Sequence, residues 1–475
     1  MTSTKPLFLV LLLSAAAWAC STGEAPAPAP PPRETDEAFL DDVQARTFDF
    51  FWETTNPGNG LTPDRWPDPP FSSVAAVGFA LRAYPIGVER GYVARAEARG
   101  RTLATLRFFW EAPQGEAPSG TTGRWGFFYH FLDMESGTRY AEVELSTIDT
   151  ALFLMGALAA QQYFDADHPD EAAIRAYADS LYRRVEWDRM QLPGGLVSMG
   201  WKPETGRFDY GYEGYNEAML LYVLALGSPT HPVEASAWPA FTSTYRWATF
   251  YGEAHVNFAP LFGHQYSHLW IDFRGIQDAY MRERGIDYFE NSRRATLAQQ
   301  AYAIDNPGGF NGYGEDVWGL TASDGPGNLT AAIDGVERTF RAYWARGAAA
   351  GDVRDDGTIA PTAVGGSVPF APEIAIPTLR AMPERFGSNV FGKYGFYDAF
   401  NPTYTLAEPP PAGGRTTPQG WFDHEYLGID QGPILAMIEN HRTSLVWSLM
   451  RESPYVVRGL CRAGFSGGWL DGRCE

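Results

Sequence analysis

Residues 145–164 read LSTIDTALFLMGALAAQQYF. After Asp149 the stretch carries no charge and no proline, and its apolar side chains recur at spacings of three and four, the period of one helical face. It predicts an apolar helix with Glu144 at its start and Asp149 about one and a half turns inside. The same period recurs over residues 39–54, 72–84, 92–110, 171–185, 215–226, 237–251, 294–303, 331–347, 373–386 and 433–450, giving about a dozen helices with little strand pattern. Long loops rich in glycine, aromatic and acidic residues separate them, as over 123–139, 309–327 and 387–404. Loops longer than about 15 residues are more often functional than idle. Paired helices without a fixed short repeat predict an all-α fold of the (α/α)6 type, a toroid with a double ring of helices and loops that carry the function.

The chain has 475 residues, with 37 Lys plus Arg against 57 Asp plus Glu and a formal net charge of -20. Such a surface repels a phosphate backbone, which excludes nucleic acid as a partner. Aromatics make up 15% of the residues, with 15 Trp, 24 Tyr and 30 Phe. Flat rings suit the apolar faces of sugars, so an acidic, aromatic chain fits a neutral carbohydrate.

Residues 1–19 read as a signal peptide: Lys5 is the positive n-region, a short apolar stretch follows, and Ala17 and Ala19 stand at the positions a signal peptidase reads. Cys20 would then be the first mature residue and the site of lipidation, with plain secretion as the alternative. Ser21 at the next position favours the outer membrane over the inner one. Residues 20–36 form this anchor and a Pro/Ala-rich tether that has no large apolar residue to bury. No comparable linker interrupts 37–475, which is read as one domain and expected to be a monomer.

Cys461 and Cys474 stand close in sequence and are expected to pair in an oxidising compartment. Carboxyl groups supply the candidate chemistry, because hydrolysing a glycosidic bond takes one protonated acid and one ionised one. Asp149 and Glu144 flank the start of the apolar helix, and Glu217 follows Tyr212, Tyr215 and Asn216 where apolar surroundings would raise its pKa. Asp324, Asp430, Glu315 and Asp316 are further candidates that could equally cap turns and helices. His264 and His268 have the i, i+4 spacing of a metal pair, but Gln265 replaces the glutamate of the zinc-protease motif, so hydrogen bonding to sugar is expected instead and no metal. No phosphate loop, nucleophile elbow or dinucleotide fingerprint occurs, and no cofactor is expected.

Nine ordered motifs look familiar: SSVAAVGFALRAYPIGVER (72–90), GFFYHFLD (126–133), ELSTIDTAL (144–152), GYNEAM (214–219), LFGHQYSHLWIDFR (261–274), DYFENSR (287–293), WGLTASDGPG (318–327), DGTIAPTA (356–363) and GIDQGP (428–433). Together they resemble the bacterial glucoamylase-like domain family, which includes inverting endo-β-1,2-glucanases. The resemblance implies an (α/α)6 toroid, a glucan cleft on the loop face, no cofactor and acid catalysis. It carries over to Glu217 as proton donor and to Asp149 and Glu144 in the cleft, and leaves the base open between Asp430 and Asp324. Tyr129, His130, Tyr215, His264, His268, Trp270, Arg274 and Trp318 would contact sugar. The function expected is an endo-acting, inverting β-1,2-glucanase on an outer-membrane lipid anchor. A non-catalytic glycan-binding lipoprotein, a β-1,2-glucan transglycosylase or other exo-acting glucosidase, and a lyase on the same scaffold are the alternatives.

Overall fold

The computed structural model describes residues 1–2, 35–69, 71–406, 410 and 412–474. Contacts divide the chain into Met1–Thr35 and Asp36–Glu475. Almost all of the first unit, including the residues read as a signal peptide and Cys20, lies outside the described residues. The second unit is helix-rich, with twenty-two short strands among the described residues, more strand than the periodicity predicts.

Two helices organise the core. Val74–Arg90 is capped by Ser73, whose side chain accepts from the Ala76 amide, and Thr147–Tyr163 is capped by Ser146, which accepts from the Asp149 amide. Nearly every residue in the first three turns of each is buried, as expected of helices apolar on all sides. They cross at Gly78 and Gly156: a Cβ on Gly78 would stand 2.4 Å from the Leu152 carbonyl oxygen, and one on Gly156 only 2.1 Å from the Gly78 carbonyl oxygen. Only glycine lets the two backbones approach this closely.

Short strands feed directly into helices. Ser72–Ser73 leads into Val74–Arg90, Leu145–Ser146 into Thr147–Tyr163, and Tyr426–Leu427 into Gly428–Arg442. Pairing holds these entrances: Ser72–Ser73 lies antiparallel to Phe131–Leu132, Arg65–Trp66 to Tyr426–Leu427, and Leu145–Ser146 occupies the middle of a five-stranded sheet.

Two of the expected helices are something else. Residues 331–347 contain the hairpin Leu329–Ile333 and Val336–Phe340, turned by Asp334 and Gly335 at φ 51° and 79°. An Asp-Gly pair between two runs is the strongest local hairpin signal, and it overrides the helical period. Residues 237–251 are helical only over Ala237–Thr242, after which Trp247–Phe250 pairs with Glu253–Val256 around Tyr251 and Gly252, again at positive φ. Residues 433–450 divide into Gly428–Arg442 and Leu445–Arg451. Cys461 and Cys474 are joined in a disulfide with their Cα atoms 5.3 Å apart.

The glycine crossing makes a quantitative demand. Gly156→Ala should lower stability by about 1–3 kcal/mol, since backbone atoms cannot yield as a flexible side chain would, and this outweighs the better helix propensity of alanine. Urea unfolding would measure it, and an unchanged midpoint would contradict the close crossing.

Candidate active site

The strand-to-helix entrances gather the acids. Asp149 and Asp430 lie in the first turns of their helices, where the N-terminal end of the macrodipole favours negative charge. Glu144 stands just before the strand Leu145–Ser146, not on a helix, and Asp149 is in the first turn rather than one and a half turns in. The reason is the strand: Leu145 and Ser146 pair with Trp201 and Gly200, which delays the helix to Thr147. Glu217 sits in the turn before Met219–Gly227, its carbonyl oxygen accepting from the Ser267 hydroxyl at 2.8 Å.

His130 joins the first group. Its Nδ1 is 2.8 Å from Glu144 Oε1 and its Nε2 3.7 Å from Asp149 Oδ1. Burial works against its charge, but Asp149, Glu144 and Asp64 outweigh that and hold the imidazole up to about 9, so it is an imidazolium at neutral pH. The hydrogen bond from His130 in turn lowers Glu144. Asp149 accepts a short hydrogen bond from the Ser146 hydroxyl. Glu217 is the contrast: burial first, and the charge of Asp149 after it, push its carboxyl up to about 7. The hydroxyl of Tyr212 lies in the field of Glu217, Asp149 and Glu144 together.

A second group faces the first. Arg65 Nη1 donates to Glu425 at 2.8 Å and to Asp324 at 3.2 Å, with Asp64 3.4 Å from its Nε. Asp398 and Asp430 are both nearly fully buried and within hydrogen-bonding reach of each other. Burial first, and the nearness of Asp430 and Asp324 after it, raise Asp398 well above the usual carboxylate range; burial also raises Asp430, to about 7, against the lowering effect of Asp398. The Asp324 amide donates to the other Asp398 oxygen at 2.7 Å. Asp324, Asp423 and Glu425 bring carboxylate oxygens within 4.8 Å of one another, a grouping able to hold a cation, but Arg65 already bonds two of the three.

Tyr266 connects the groups: its hydroxyl lies in the fields of Asp430, Glu217 and Asp398. Tyr343, 54% exposed, stands over the second group with its hydroxyl near Asp430, Asp398, Asp64 and Asp324. Glu144, His130, Arg65 and Asp324 are partly exposed, so solvent reaches the edges of both groups.

The structure brings Glu217, Asp149, Glu144, His130, Asp324 and Asp430 together. Other expected contacts are interior. Tyr129, His264, His268, Trp270 and Trp318 are 0% exposed and have no face to offer a sugar. Burial drives His264 well below its ordinary value and His268 down to about 3, and each ring bonds within the core, to Phe258 O at 3.1 Å and to Ser292 Oγ at 3.1 Å. Trp270 carries the Arg82 guanidinium 4.4 Å above its ring. Arg274 is tied to Asp272 at 2.7 Å and lies over Trp447, and Tyr215 packs parallel to Tyr288. Glu315 and Asp316 are exposed. The residues missed are Asp64, Arg65, Tyr266, Tyr343, Asp398, Asp423 and Glu425. Asp398 lies in one of the long loops marked out as functional, but nothing in the loop distinguishes it before Asp430 is beside it.

A helix-rich domain with acids gathered at strand-to-helix entrances is the class that fold and site define. The Glycoamylase family, described as "Putative glucoamylase", matches residues 209–454, more than half of the chain, and the chain belongs to this family. It is 31% identical over 460 residues to an exo β-1,2-glucooligosaccharide sophorohydrolase (non-reducing end) of Parabacteroides distasonis, covering 90% of this chain and 58% of that one. An endo-β-1,2-glucanase of Chitinophaga pinensis in complex with sophorotriose and glucose superposes with a TM-score of 0.77 at 28% identity, over 92% of this chain and 100% of that one. A β-1,2-glucanase of Parabacteroides distasonis does so with a TM-score of 0.76 at 29% identity, over 91% and 60%.

The raised Glu217 has a signature in stability. Its folded carboxyl holds a proton more tightly than the unfolded one, whose ordinary value is 4.5, so its presence costs stability as pH rises from there to about 7. Glu217→Gln should match the wild type below pH 4.5 and exceed it above pH 7 by roughly 1–3 kcal/mol. Unfolding curves of both proteins across this range test it; a difference that does not vary with pH would refute the assignment.

Proposed function

We propose that the protein hydrolyses β-1,2-linked glucan with Glu217 as general acid. The observation that carries this reading is the presence of two unlike carboxyl environments around Tyr266, the desolvated Glu217 and the buried neighbours Asp398 and Asp430. A carboxyl raised to about 7 keeps its proton near neutrality and can give it to the leaving oxygen. The ionised member of the pair is the proposed base that takes the proton from the attacking water. Asp324 is less free to act, because its carboxylate is bonded by Arg65. With water between acid and base, the displacement inverts the anomeric centre. Glu144, His130 and Asp149 form a charged wall that binds sugar hydroxyls and, through Asp149, keeps Glu217 protonated.

The linkage is supported by the relatives, one named for exo action on β-1,2-glucooligosaccharides at the non-reducing end and another as an endo-β-1,2-glucanase. Cleavage within the chain is the mode proposed, and the double ring of helices is the architecture proposed for the helix-rich domain. Export and a lipid anchor at Cys20, in the outer membrane, remain part of this proposal and rest on the sequence of residues 1–36 alone.

Incubation with linear β-1,2-glucan beside β-1,3-, β-1,4- and α-1,4-glucans tests the substrate. A ladder of oligosaccharides from the β-1,2-glucan alone, released with inverted anomer, is expected; sophorose as the sole product would make the action exo, and activity on none would reject hydrolysis. Glu217→Gln should lower kcat by about 10²–10⁴-fold. In the wild type kcat/KM should fall above about pH 7, as Glu217 loses its proton.

A further inference from the structure

Beside the acids, the chain carries an aromatic ladder that the proposed chemistry does not use. Gly211 pairs with Ser198, Tyr212 N–H donates to Val197 O at 3.0 Å and Met199 N–H to Tyr210 O at 3.3 Å, so the backbone is extended here. Side chains two apart on an extended chain lie on one side, about 7 Å from each other. Tyr212 and Tyr210 therefore share a side. Tyr212 reaches Glu217, Asp149 and Glu144, whereas Tyr210 is 55% exposed and stacks on Phe208 with ring centres 5.2 Å apart and 15° between planes.

Phe208 fixes the Tyr210 ring and leaves its other face to solvent. The ring borders a concavity of about 590 Å³ walled by Leu192, Pro193 and Leu196. Asp209 and Glu213 also line it, both exposed, and neither carboxylate makes a hydrogen bond or ion pair among the described residues. A flat ring beside free acceptors is the equipment for a sugar, the ring meeting the C–H face and the carboxylates taking hydroxyl protons. Arg207 also lines the concavity, its Nη1 donating to the Arg189 and Gln191 carbonyl oxygens, but two carboxylates against one cation on a chain of net charge -20 still favour a neutral chain over an acidic one.

We propose that Tyr210, supported by Phe208 and flanked by Asp209 and Glu213, is an outer glycosyl-binding site that holds units of the glucan remote from the bond being cleaved. It rests on the glucan-hydrolase reading, and it makes the enzyme's affinity depend on chain length. Tyr210→Ala should raise KM roughly tenfold for long β-1,2-glucan, leaving kcat and the kcat/KM of the shortest cleaved oligosaccharide unchanged. Tyr210→Phe, which keeps the ring, should retain most of the affinity. An unchanged KM on long chains, or an equal loss on every length, would overturn the proposal. Tyr210 is exposed, so the melting temperature should not move. Electrophoresis in gels containing each of the four glucans reads binding without turnover. Retardation of the wild type that Tyr210→Ala loses would uphold the site even if hydrolysis failed, and no difference in any gel would reject it whatever the activity.

Discussion

The contact on which the site depends is the crossing of Val74–Arg90 with Thr147–Tyr163 at Gly78 and Gly156. Both glycines lie within a few turns of their helix starts, so the crossing fixes the two entrances relative to each other. Ser73 and Ser146 cap those starts; Glu144 stands just before the strand Leu145–Ser146 and His130 just before Phe131–Leu132, which pairs with Ser72–Ser73. Packing that admits no Cβ admits little sliding either. The acids therefore keep their mutual positions although most stand on short loops.

Crowding so many carboxyls would be unstable without compensation, and the structure shows three kinds. Helix N-termini receive Asp149 and Asp430. Two cations are embedded, His130 among Glu144, Asp149 and Asp64, and Arg65 among Asp324, Glu425 and Asp64. Burial of Asp398 and Asp430 beside each other raises both carboxyls and favours their neutral forms. Glu217 has none of these neighbours, apart from its own backbone amide, and keeps its proton instead. The difference between a paired carboxylate and a desolvated acid is what would allow the proposed site to give and to take a proton near neutral pH.

Much of this was legible in the linear chain. The apolar period located the long helices to within a few residues, because burying a helix on all sides demands an unbroken apolar run. Glu217, Asp149 and Glu144 could be picked out because each interrupts or borders such a run. Residues 331–347 failed because their apolar spacing mimics a helix while Asp334-Gly335 turns the chain back. His264, His268, Trp270 and Trp318 were expected to touch sugar because polar and aromatic side chains look functional in sequence, and nothing local tells a buried ring from an exposed one.

By itself, then, the sequence determined the helix-rich class, the acidic and aromatic character, and the acids set against apolar helices, all of which follow from composition and near-neighbour period. Only tertiary structure decided that Asp64, Arg65, Asp398, Asp423 and Glu425, far apart along the chain, converge on Asp324 and Asp430, and which carboxyl is paired and which is left desolvated. A carboxyl's proton affinity is set by the charges and the solvent within a few ångströms of it, and those neighbours come from segments hundreds of residues away.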